Sequence, residues 1–253
     1  MIWVSFFKPT GIFEGSFNKF AAWWTAGDYC HCEIVWHIQP IDLMDCVKTV
    51  YNNLNKGEKN DKNSKTCAEL ESVFFTNRHN IQLLQEEKPV YVSFSLLWGD
   101  QLRVRFLENI EDPWVSTPEK PFDDITWVKC DNIIKENKIN CLQWALSELT
   151  KPYNQGAALF SWVPHWGVNE TSSKSAYFCS EFASICLVKM KYLRPMNTLH
   201  CTPNHLEAKL RLIGREEKEE TEENNYESSS DDELTQLEEK INTTVSNKTL
   251  HLK

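Results

Sequence analysis

Short β-type runs fill the stretch from Glu33 to Phe106, and beyond Pro121 the apolar spacing turns helical. This segregation constrains the fold more than any other feature, because strands gathered before helices predict an α+β architecture. Glu33–Ile38, Ser72–Asn77, Ile81–Gln85, Val90–Leu96 and Leu102–Phe106 read as strands. Their close spacing, with turn residues between them, predicts an antiparallel sheet or partial barrel packed against helices. Ahead of them, Ser16–Asp28 has a Ser cap, Phe17, Phe20, Ala21 and Trp24 at helical spacing, and Gly27 as a stop, which predicts a short amphipathic helix. The polar stretch from about Asn52 to Lys65 reads as an insertion loop. Later, "KINCLQWALSELTKPY" lines Ile139, Leu142, Trp144, Ala145, Leu146 and Leu149 along one broad face and ends at Pro152. After a loop rich in Trp, Pro and Ser, "AYFCSEFASICLVKMKYL" predicts a second core helix with Cys179 in its first turn.

Charge divides the chain differently. Arg215 to Lys240 holds twelve acidic and three basic residues, a net of −9 that equals the formal charge of all 253 residues. We therefore expect one domain over 1–214 and an acidic tail over 215–253, too poor in apolar residues to fold on its own. A neutral body with an acidic tail offers no basic groove for phosphates, so no nucleic-acid partner is expected; a basic protein is the natural partner for the tail. Nine cysteines without a framework spacing, and no signal-peptide pattern in "MIWVSFFKPTGIFEG", read as a reducing, cytoplasmic setting. The sequons at Asn169, Asn242 and Asn247 then read as chance matches. No apolar run approaches the roughly 18–20 residues that span a bilayer, so the expectation is a soluble protein or one in peripheral membrane contact.

The densest chemistry is in "GDYCHCEIVWH", Gly27 to His37. Alternate residues of a strand share a face, so Cys30, Cys32 and Ile34 point one way while His31, Glu33 and Val35 point the other. A zinc knot using the cysteines and the histidine together is awkward on one straight strand, and the other cysteines supply no CxxC partner. His200 and His205 read as solvated histidines, and no metal or cofactor is expected. A carboxylate two positions along the same face can hold an imidazole, which makes His31 and Glu33 half of a nucleophile system. The other half requires a thiol whose pKa is lowered, as the first turn of a helix does for Cys179. Cys141 competes, but it lies beside an apolar helix face, where a free cysteine acts as a small hydrophobe. On the residues alone, a purely structural role for His31 and Cys179 stays open.

The order of these parts resembles the circularly permuted branch of the NlpC-type papain-like superfamily, the YiiX-like amidases and hydrolases, which includes members from large DNA viruses. The likeness runs from about Thr10 to Leu212 and rests on Tyr29-Cys30-His31, Lys151-Pro152-Tyr153, Tyr177 to Glu181, and "CTPNHLEAKL". It implies a permuted papain-like fold with Cys179 as nucleophile and His31 as general base, and a host cytoplasm or virion location if the source is viral. Some members take the third residue from a "V-F-E-A" stretch, which here reads "ESVFFTN". That departure leaves Glu33 as the orienting residue and Glu71 as its alternative, with Glu181 capping or pairing locally.

The implied chemistry is a thioester acyl-enzyme released by water or by another acceptor, cleaving an amide or ester of a peptide or of an acyl lipid. The loop "LFSWVPHWGV" reads either as an acyl or aromatic subsite or as a lid on the core. The alternative function is a catalytically silent papain-like protein, a virion or assembly factor that recruits a partner through its acidic tail.

Overall fold

The computed structural model of the chain describes residues 1–10, 15–24, 27–57, 60–108, 117–119, 123–161 and 175–215. Two compact units divide it, Met1–Ala208 and Lys209–Lys253. Of the second only 209–215 are described, and they are helical.

The first unit is α+β. Five antiparallel strands form one open sheet: β1 (Ile2–Phe7), β2 (His31–Ile38), β3 (Val90–Ser95), β4 (Arg103–Phe106) and β5 (Ile125–Cys130), in the spatial order β4-β3-β2-β1-β5. The helices are α1 (Ser16–Trp24), α2 (Pro40–Lys56), α3 (Asp61–Leu70), α4 (Arg78–Gln85), α5 (Lys135–Ser147), α6 (Gln155–Phe160) and α7 (Cys179–Lys189).

The pleat gives the sheet two chemically distinct faces. One carries Val4 and Phe6, Cys32, Ile34 and Trp36, Val92 and Phe94, Val104 and Phe106, all buried. Trp36 meets Phe94 edge-on at 5.1 Å, and Phe94 lies 6.0 Å from Phe182 of α7, so this is the face on which α7 packs. Burying each such side chain stabilises the fold by roughly 1.5–3 kcal/mol, which makes this layer the core. The other face carries Ser5, Phe7, His31, Glu33, Ser93 and Arg105 at alternate positions brought side by side by the strand register.

Four expectations are overturned. Asn52–Lys65 is not a loop: α2 runs through Lys56 and α3 starts at Asp61, where Asn60 accepts a bond from the Asn63 amide at 2.8 Å. Its Thr66, Cys67 and Leu70 are buried, and three such positions at helical spacing suffice when the outer face is free to be Lys and Asn. Ser72–Asn77 is no strand, because Glu71–Thr76 forms a π-helical turn that drives Phe74 against Phe106 at 5.7 Å. Ile81–Gln85 is no strand either, since Asn77 caps the Asn80 amide at 3.0 Å and starts α4. Here local capping overrides β propensity. Finally, Ile125–Cys130 lies beyond Pro121 yet pairs with β1 along its whole length. The sheet thereby gains an edge strand from the half expected to be helical.

The helix expected over Ser16–Asp28 is present as Ser16–Trp24, and the two late helices stand at α5 and α7. Among the described residues, no helix is long and apolar enough to cross a membrane. Most of "LFSWVPHWGV", from Trp162 on, and the tail after Arg215 lie outside the described residues.

Candidate active site

Tyr29 is fixed before β2 begins. Asn204 takes the Tyr29 amide on Oδ1 at 2.9 Å and donates from Nδ2 to the Tyr29 carbonyl at 3.0 Å, a two-point clamp. Gly27 is required beside it, because a Cβ there would sit 2.2 Å from Asn204 Oδ1. The Tyr29 hydroxyl donates to Thr126 Oγ1 at 3.0 Å on β5. His31 therefore enters the sheet from a held position.

His31 and Glu33 share a face, as their spacing requires, and both are buried. His31 Nε2 lies 3.3 Å from Glu33 Oε1, and the Phe7 ring covers the imidazole at 5.3 Å. The other carboxylate oxygen accepts from Ser93 Oγ at 2.6 Å and from Arg105 Nη2 at 2.7 Å. Burial pushes the Glu33 pKa up, but the Arg105 guanidinium, His31 and the Ser93 hydroxyl outweigh it and hold the carboxyl well below its usual range. Burial likewise opposes a charged His31, yet the Cys179 thiolate and Glu33 raise its pKa to about 9.

Cys179 is the first residue of α7, after Phe178 in extended conformation. The amide of Phe178 donates to Glu181 Oε2 at 3.3 Å, so the buried Glu181 closes the helix start and serves the local role expected of it. The sulfur meets β2 where its ladder with β3 stops. That ladder spans only Ile34 to Ile38, leaving the Cys32 amide outside it. The Cys32 thiol foremost, then His31 and the Cys32 amide, favour the Cys179 thiolate, overcome burial and set the Cys179 pKa well below that of an ordinary thiol. Burial, together with the neighbouring Cys179, pushes the Tyr153 pKa up.

The motifs quoted from the sequence hold this sulfur in place. Tyr177 donates to the Pro152 carbonyl at 3.2 Å and accepts from the Asn154 amide at 2.6 Å, joining the end of the α5 segment to the approach to α7. Its hydroxyl donates to Glu148 Oε2 at 2.5 Å and accepts from Lys151 Nζ at 3.1 Å. The Tyr153 amide donates to the Asp100 carbonyl at 2.9 Å, which ties it to the β3–β4 turn. Beside the site lies a cleft of about 400 Å³, lined in part by Glu33, Arg105, Ser95, Leu97, Asp100 and Arg103. Its lining is predominantly polar.

Other candidates are placed elsewhere. Glu71 is exposed and accepts from the Tyr51 hydroxyl. Cys141 is buried with its thiol directed to the Cys186 carbonyl at 3.4 Å. His200 Nδ1 contacts the Ser161 carbonyl at 3.2 Å, and His205 Nδ1 the His200 carbonyl at 3.4 Å. Among the described residues no group of three His, Cys, Asp or Glu side chains could hold a metal.

Arg105 and Ser93 were missed at the level of sequence, and Tyr153 and Asn204 stood in quoted motifs without a role of their own. The alternation of "VSFS" and "RVRF" could have placed Ser93 and Arg105 on one face, but not on the face of Glu33 without the strand order. Comparison with family models, with curated proteins and with solved structures found no match to this chain.

Proposed function

We propose that this chain is a cysteine-dependent hydrolase of the permuted papain-like type, cleaving an amide or ester through a thioester acyl-enzyme. One observation supports it above the rest: the thiol that begins α7 has as its neighbour an imidazole whose Nε2 is engaged by a buried carboxylate, and the two shift each other's titration towards the ion pair.

The chemistry follows from these positions. The thiolate attacks the substrate carbonyl, and the developing oxyanion is stabilised by backbone N–H groups at the start of α7. Protonated His31 then delivers its proton to the leaving amine or alcohol, and the acyl group remains on Cys179. Neutral His31 next takes a proton from water, whose oxygen attacks the thioester and frees the acid. Glu33 keeps the imidazole oriented and favours its charged form throughout, and Arg105 with Ser93 keeps Glu33 ionised.

The reading is tested by alkylating Cys179 with iodoacetamide across pH, locating the adduct by mass spectrometry, in the native chain and in His31→Ala. Rapid labelling below about pH 7 that slows without His31 is the expected result. A midpoint near about 8.5 in both proteins would remove the enzyme reading and leave the papain-like interaction protein in its place.

A further inference from the structure

Acyl transfer consumes one thiol, yet two meet at this site. The alternation of β2 points Cys32 to the core face, beside Ile34 and Trp36, and α7 lies on that same face with Cys179 as its first residue. Both sulfurs are buried, Cys32 to 1% and Cys179 to 6% exposure, so the nucleophile is the more accessible of the pair. The Cys32 thiol and amide are neighbours of the Cys179 sulfur and favour its thiolate. The competing cysteines are placed differently: Cys30 Sγ donates to the Phe7 carbonyl at 3.5 Å, and Cys201 is fully buried.

We propose that Cys32 is a resolving thiol, and that peroxide converts Cys32 and Cys179 into a reversible intramolecular disulfide that blocks the nucleophile and protects it from irreversible oxidation. The Cys179 thiolate attacks hydrogen peroxide, the O–O bond breaks, and Cys179 becomes a sulfenic acid with release of hydroxide. Cys32 sulfur then attacks the sulfenic sulfur, its thiol proton leaves with the departing hydroxide as water, and the S–S bond forms. In sum two thiols are oxidised by two electrons and one peroxide is reduced to two waters. A dithiol reductant reverses the bond by exchange. The lowered pKa of Cys179 supports the first step, since the thiolate is the form that attacks. A thiol at the start of β2 and one at the start of the helix packed on the same face have only to close to a bond of about 2.05 Å.

The proposal rests on the thiolate assigned to Cys179 above and on no substrate. The full reduced chain is treated with about equimolar to tenfold hydrogen peroxide and digested without reductant. The tryptic peptides Phe20–Lys48 and Ser175–Lys189 should appear joined, and fragmentation must place the link at Cys32 and Cys179, because Cys30, Cys46 and Cys186 lie in the same peptides. Iodoacetamide labelling of Cys179 should vanish and return after dithiothreitol. In Cys32→Ser, whose hydroxyl still offers the Cys179 sulfur a donor, the same treatment should drive Cys179 to sulfinic and sulfonic acid, with labelling after reduction about tenfold lower than in the native chain. Cys30→Ser should behave as native, which controls for disturbance of the cluster. The proposal is overturned if Cys179 is peroxide-inert, if it links to another cysteine, or if it over-oxidises equally fast with and without Cys32. A low alkylation midpoint without the disulfide would leave the hydrolase reading intact and remove this one alone.

Discussion

Two buried carboxylates in this molecule are held almost alike and do different work. Glu33 is gripped by Arg105, Ser93 and His31. Glu148 is gripped by Lys151, by the Tyr177 hydroxyl at 2.5 Å and by Lys62 at 3.6 Å. Each has a cation, a hydroxyl and a second basic group. The difference lies in that second basic group: around Glu33 it is an imidazole whose titration a neighbouring thiolate shifts, whereas around Glu148 it is an ammonium. Only the first cluster can pass a proton to a reacting atom near neutral pH. A buried ionic network is thus no sign of a functional site by itself, and the chemistry of the group beyond the carboxylate decides.

The comparison breaks first at the thiol. Cys179→Ala should reduce hydrolysis to the uncatalysed background, a loss on the order of 10³-fold or more in kcat, with the thermal unfolding midpoint little changed. His31→Ala should cost on the order of 10²–10³-fold and bring the alkylation midpoint of Cys179 up towards about 8.5.

The two carboxylates themselves give the sharper contrast. Glu33→Gln and Glu148→Gln should each lower stability by about 3 kcal/mol in denaturant titration, because each leaves a cation short of its partner. Glu33→Gln alone should also displace the pH profile of Cys179 alkylation. An equal displacement by Glu148→Gln would erase the distinction. Ser93→Ala removes one hydroxyl bond to Glu33 and should cost about 1 kcal/mol, with a severalfold loss of turnover.

Titration separates the clusters without mutation. The His31 pKa is raised in the fold from about 6.5 to about 9, so its stabilising contribution is fully present below 6.5 and lost as pH rises through about 9. Hydrolysis should fall over that same alkaline limb, since the leaving group then loses its proton donor. Alkylation, which needs only the thiolate, should not. The Glu33 pKa is depressed, so its contribution is present above about 4.5 and lost on acidification below that value.

Much of the site was legible because it depends on period-two alternation and on a helix start, both local properties. His31 with Glu33, and Cys179 at the head of α7, follow from such patterns. The sheet was less legible. β1 went unassigned because it is apolar at every position but Ser5 and shows no alternation, and β5 was read as part of a helical half, because nothing local announces that the two pair across more than a hundred residues. The helices α3 and α4 were lost to composition, where Asn caps outweighed a polar or β-branched run. Arg105 illustrates the remaining gap: its role depends on a neighbour two strands away.

The clamp of Asn204 on Tyr29 bears on the order in which the molecule assembles. Its partners are 175 residues apart, so closing it carries the loop-closure entropy of most of the folded body, and contacts of that span form late in folding. A truncated chain ending after α7 would retain Cys179, His31 and Glu33 but leave the segment leading into β2 without its latch. Competence for chemistry would then arrive with that latch as the final event of folding, when a thiol and an imidazole that have already met are held still.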